Sequence, residues 1–238
     1  MLVQRPLYPE GDAVCQAIIV HPPGGIAGGD ELDLECAVGK NAHALLTTPG
    51  AAKWYRSAGP WAKQKLSFTV DGILEWLPRE TIVFSGALAS LECTIELARG
   101  ARYLGWELMC LGRAGSGERF TKGEIRLDTR ISRDGKLVWL ERGRLEAFGR
   151  LLHSPAGLNN RTVFGSFIAA GEVGKRLLEA CRCQAGETLA LTLLPELLIA
   201  RYLGDSSEEA MRAFAALWAI VRPAVAGRDA IAPRIWST

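Results

Sequence analysis

Leu91-Glu92-Cys93-Thr94-Ile95-Glu96-Leu97 sets an apolar residue at every odd position and a polar one at every even position. Side chains on a strand point alternately to two faces, so this stretch is a half-buried β-strand and not a helix. The pattern returns in Glu124-Ile125-Arg126-Leu127-Asp128-Thr129-Arg130-Ile131. Arg133-Asp134-Gly135-Lys136 follows, and Asp-Gly is a strong hairpin signal because both residues tolerate positive φ. Leu137-Val138-Trp139-Leu140 is then the return strand. Weaker strands are read at 17–21, 42–48, 64–70, 73–77, 81–84 and 103–111, with Gly and Pro clusters between them. Many short strands with frequent turns make the chain mainly β.

The last third reads differently. A short helix is expected over 172–182, with Leu177, Leu178 and Cys181 on one face, and buried strands over 188–194 and 197–203. Ser206 caps a longer helix, with Glu209 three residues on as a capping box requires. That helix sets Met211, Phe214, Leu217, Trp218 and Val221 on one stripe, and Pro223 stands where it would stop or kink. A stripe of this kind either packs on the chain's own core or fits a partner's groove. The organisation expected is a single domain over 1–238, β-rich over 1–165 and mixed strand and helix over 166–238.

A chain of 238 residues can bury a substantial core. Its 28 Lys+Arg against 26 Asp+Glu leave a net charge of +2, without the basic bias of a nucleic-acid binder. No apolar run approaches the ~18 residues of a membrane span, and the first residues, Met1 to Pro6, lack a signal peptide's apolar stretch. The six cysteines are scattered, and Cys181-Arg182-Cys183 has no second pair to complete a zinc site. The protein reads as soluble and cytosolic, with reduced thiols.

Three stretches could carry chemistry. His21-Pro22-Pro23-Gly24-Gly25-Ile26-Ala27-Gly28-Gly29-Asp30 is stiffened by its prolines and made permissive by its glycines. It has neither the Gly-Lys-Ser/Thr ending of a phosphate loop nor a helix signal behind it. It is either a rigid turn or a surface where His21 and Asp30 meet a cation or a partner. The stretch from Leu46 to Ser57 runs from a strand through a Pro-Gly corner into Lys53-Trp54-Tyr55-Arg56, which suits a binding edge. From Leu74 to Ala87, Glu75 and Glu80 stand among apolar neighbours, as members of an internal polar path or of a strand-pairing salt bridge. None of His21, His43 and His153 sits in a nucleophile-elbow or zinc-protease setting. A hydrolase built on an Asp/Glu pair stays open on composition alone.

The ordered motifs His21-Pro22-Pro23-Gly24-Gly25-Ile26 with Gly28-Gly29-Asp30, Thr48 to Ser57, and Leu74 to Phe84 resemble the UreD (UreH) family of urease accessory proteins. Cys110 to Arg113 with Gly117-Glu118 and Phe120, Arg201 to Gly204, Trp218 and Pro233 to Trp236 extend the resemblance over nearly the whole chain. It implies a β-helix-like stack of strands with a few helices, mostly C-terminal. It also implies a non-enzymatic role: a scaffold between apo-urease and UreF-like and UreG-like partners that assists nickel insertion, with no nucleotide or tightly bound cofactor of its own. On this footing His21, Asp30, Glu75 and Glu80 are candidates for a transient nickel path, where affinity must stay modest for the ion to leave. Met211, Phe214, Trp218 and Trp236 are candidates for docking the UreF-like partner. Family members usually carry a further strand segment ahead of Gln4-Arg5-Pro6, and its absence or replacement here leaves the completeness of the first sheet edge open.

Overall fold

The computed structural model describes residues 1–237. The chain opens with β1 (Leu2–Val3), β2 (Cys15–Val20), β3 (Glu31–Val38), β4 (His43–Thr47) and β5 (Ala52–Trp54). It continues through β6 (Ala62–Val70), β7 (Ile73–Leu77), β8 (Thr81–Val83), β9 (Leu88–Leu97) and β10 (Arg102–Leu111). Then come β11 (Glu124–Arg133), β12 (Lys136–Glu146), α1 (Arg150–His153), β13 (Val163–Ala170) and α2 (Lys175–Gln184). The chain closes with β14 (Leu189–Leu194), β15 (Leu197–Gly204) and α3 (Ser207–Ala226).

These strands wind as a β-solenoid. Four coils each contribute one strand to either side: β2, β4, β7 and β10 pair in parallel on one, and β3, β6, β9 and β11 on the other. The short strands β5 and β8 make a narrow third side and join the far end of β10 at Met109 to Leu111. After β11 the winding stops. The Asp134-Gly135 turn, with φ of 49° and 73°, reverses the chain into β12, and β13, β15 and β14 extend the other sheet antiparallel. Both turn residues thus adopt the positive φ that the hairpin reading required.

The two sheets differ in what covers them. The sheet of β3, β6, β9, β11 and β12 faces the solenoid interior with Leu34, Leu66, Phe68, Cys93, Ile95 and Ile131. Its other face is wet, and there Glu92, Arg126 and Arg130 stand exposed. The opposing sheet is covered twice: its inner face meets that interior, and its outer face packs under α2 and α3 with Leu45, Leu77, Leu104, Trp106 and Leu108. Period-two alternation is therefore plain in β9 and β11. It fades in β10, where nearly every side chain is buried. Strands β3 and β13, not anticipated above, belong to the same scheme.

Helix α3 starts where Ser206 was expected to cap it, and Glu209 N–H donates to Ser206 Oγ at 3.1 Å. It runs through Pro223 and ends at Gly227, whose φ is 69°. Proline costs it the hydrogen bond to Ala219, but packing on the sheet outweighs that loss: Phe214, Trp218, Val221 and Val225 are all buried there. Each such side chain contributes about 1.5–3 kcal/mol.

Candidate functional site

Glu75 of β7 and Arg222 of α3 are both 0% exposed. Arg222 Nε donates to Glu75 Oε1 and Oε2 at 2.9 and 3.2 Å, and Trp218 Nε1 donates to Oε2 at 2.5 Å. His43 Nε2 lies 2.6 Å from Oε1. The far end of Arg222 is a fork on Glu10, at 2.8 and 2.9 Å, and also donates to the Asp229 carbonyl. Burial raises the Glu10 carboxyl, but the bonds and charge of Arg222, helped by Gln16, more than reverse this and hold it below its ordinary value. Glu75 is thus in the ion-pair arrangement, on the sheet face turned toward the helices and away from the solenoid interior.

Asp30 closes the glycine-rich turn, accepting from Ala27 N–H at 2.8 Å. Gly28 is required there: a Cβ would lie 2.3 Å from Ser57 Oγ and 2.9 Å from the Pro60 carbonyl. Glu80 is half-buried, with the Arg79 guanidinium 3.6 Å away. His21 Nε2 lies 3.1 Å from the Gly25 carbonyl at the rim of an interior cavity. The structure therefore does not gather His21, Asp30, Glu75 and Glu80 along one route: of the four, only His21 opens onto that cavity. Among the described residues no three His, Cys, Asp or Glu stand close enough to form a preassembled metal site.

The stripe on α3 faces the chain's own sheet. Met211, Phe214 and Trp218 are buried, and Phe214 packs 6.2 Å, ring to ring, from Trp106 and Phe167. Trp236 lies half-buried across Trp106 and Trp218, at 5.6 Å from each, and donates from Nε1 to Thr47 Oγ1 at 3.0 Å. These four side chains hold the helix and tail to the solenoid. A partner that docked on them would first have to uncover them.

The polar groups of the interior lie on residues that the sequence reading passed over. On β10, Trp106 faces the helices and Glu107 points between the sheets. Glu107 Oε2 accepts from Thr129 Oγ1 at 3.3 Å, and Glu141 of β12 is near enough for its charge to bear on Glu107. Ser166 donates to Glu141 Oε2 at 3.3 Å, and Arg201 to Oε1 at 2.6 Å. Burial first, and the Glu141 charge second, push the Glu107 carboxyl up to about 7 against the opposing pull of Thr129. A cavity of about 340 Å³ runs from His21, Gly25 and Thr48 down to Glu107. A second, of about 40 Å³, holds Glu107, Thr129, Glu141 and Ser166. It shares Phe164, Gly165 and Ser166 with an open groove leading out past Arg201 and Asp205.

This row was visible in part. Glu107 is the one charged residue in the apolar run from Tyr103 to Leu111, as conspicuous as Glu75. Thr129 is the one polar residue in the odd register of Ile125, Leu127 and Ile131, a break that was passed over, and Glu141 carried no signal because β12 does not alternate regularly. Cross-strand register makes them matter: the inner stack reads Leu34, Leu66 and Cys93 in three coils, then Thr129 and Glu141. The small cavity where the two acids face has room for an ion or a water, not for a sugar or peptide.

Fold and site together define a β-solenoid protein with two carboxyls, Glu107 and Glu141, at a small cavity between its sheets. Residues 1–237 match the family described as UreD urease accessory protein. A urease accessory protein UreD of Dechloromonas aromatica (strain RCB) is 51% identical, over 99% of this chain and 85% of its own. Those of Azoarcus sp. (strain BH72) and Nitrosococcus oceani are 50% and 49% identical, over 85% and 81% of their lengths. The chain belongs to the UreD family of urease accessory proteins. Among the described residues, no helix is long and apolar enough to cross a membrane.

Proposed function

We propose that this protein serves urease maturation in the cytoplasm as a non-enzymatic scaffold, joining apo-urease to UreF-like and UreG-like partners, and that nickel crosses its interior on the way. The observation that carries the second half is a row of three neighbouring spaces with shared walls: the cavity from His21 to Glu107, the small one at Glu107, Thr129, Glu141 and Ser166, and the groove beside Arg201. Two carboxyls that repel each other are relieved by a divalent cation between them, and carboxylate and hydroxyl oxygens suit Ni²⁺ without the grip of a thiolate site. The ion takes the place of the proton that Glu107 holds. Nickel is cargo in this reading, not a resident cofactor.

Co-expression with the urease structural subunits and the other accessory proteins tests both halves. Omitting this chain should abolish activation; unchanged urease activity removes the scaffold role. Glu107→Gln should leave the assembly intact on co-purification and lower the nickel content of urease several-fold. Full nickel loading with both Glu107→Gln and Glu141→Gln would leave the scaffold alone.

A further inference from the structure

The two interior cavities share a wall. Among the described residues, only Glu107 and Met109 line both, two positions apart on the same face of β10. On one side lie about 340 Å³, enough for an ion with its waters; on the other about 40 Å³, enough for an ion stripped of most of them. Glu107 is tethered by Thr129. Met109 is 3% exposed and has no polar tether; it packs among Leu111, Ile125 and Phe164, the last being its register partner on β13. An unbranched side chain with three rotatable bonds changes shape in a packed interior at low cost, whereas a β-branched one is stiff at χ1.

We infer that Met109 is the gate between the two cavities, and that its rotamer changes set how fast a divalent cation passes from the wide cavity to the narrow one. The inference rests on the conduit reading above and adds to it a residue that binds nothing tightly. Glu107 supplies the oxygen that replaces lost water, and Met109 supplies the moving wall.

The test is the initial rate at which nickel enters apo-urease in the full accessory complex, for Met109→Ile, Met109→Leu and Glu107→Gln. Leucine keeps volume and an unbranched Cβ and should load at the wild-type rate. Isoleucine keeps volume but stiffens χ1 and should slow loading about two- to tenfold, with co-purification and thermal midpoint near wild type. If the isoleucine variant does not assemble, Met109→Phe takes its place and should slow loading by bulk. Wild-type rates for Met109→Ile beside a slow Glu107→Gln would overturn the gate and keep the conduit. Equal slowing by leucine and isoleucine would also overturn it, since packing and not stiffness would then be at work. Wild-type rates in all three would remove the conduit, and the gate with it.

Discussion

Glu75 and Glu107 are both single acids in strongly apolar strands of one sheet, and both sit beside a tryptophan. In β7 the order is Glu75-Trp76 and in β10 it is Trp106-Glu107. That reversal turns Glu75 outward under α3 and Glu107 inward between the sheets. The outer acid meets an arginine, an indole and an imidazole, which together satisfy both oxygens. The inner acid meets one hydroxyl and the field of another acid. A buried carboxylate with such partners fastens structure; one with a like-charged neighbour and open space beside it fits the cation path proposed above. The two differ in burial as well: Glu75 is fully buried and Glu107 half-buried.

The largest expected effect breaks the outer cluster. Arg222→Met leaves Glu75 and Glu10 buried without their counter-charge and should cost about 3–5 kcal/mol of stability. The thermal midpoint checks it; a change within error would mean that the cluster fastens nothing.

The second effect has the opposite sign. The folded protein holds the Glu107 proton up to about pH 7, whereas the unfolded chain releases it near the ordinary 4.5. Between those values the folded state binds more protons, so stability falls as pH rises through this window and levels off above it. Glu107→Gln should remove that fall and stabilise the protein at pH 8 on the order of 2–3 kcal/mol, while converging with wild type below pH 4.5. Denaturant midpoints at pH 5 and pH 8 read it directly. A variant less stable than wild type at pH 8 would place Glu107 with Glu75 among the structural acids.

The smallest effect sharpens the contrast. Glu141→Gln takes away the like charge but leaves the burial, which is the larger cause of the Glu107 shift. The pH at which stability levels off should move down by less than a unit, a change of about 1 kcal/mol or less. Side-chain carboxyl NMR of Glu107 in the two proteins would report it, and no movement would mean the two acids do not sense each other.

Much of the fold was legible because one sheet has a wet face. Where solvent wets one side of a strand the sequence tends to alternate, so β9, β11 and the Asp134-Gly135 hairpin could be read directly, although β3 alternates as cleanly and was passed over. The Ser206 cap was equally local, since a cap bonds within four residues of itself. The stripe on α3 was seen as well, but whether it met a partner or its own sheet was beyond local reading. Periodicity reports that a face is buried, not what buries it.

What the sequence determined, then, was the class of fold, its turns and caps, and a family identity carried by its ordered motifs. Only the tertiary structure decided which acid faces the helices and which the interior. A one-residue change of parity moves a side chain to the other face of a sheet, and in a strand buried on both faces nothing in the hydrophobic pattern records which face that is. Nor does sequence order reveal that Thr129 and Glu141 continue a column begun by Leu34 and Leu66, because winding, not chain proximity, brings successive coils into register.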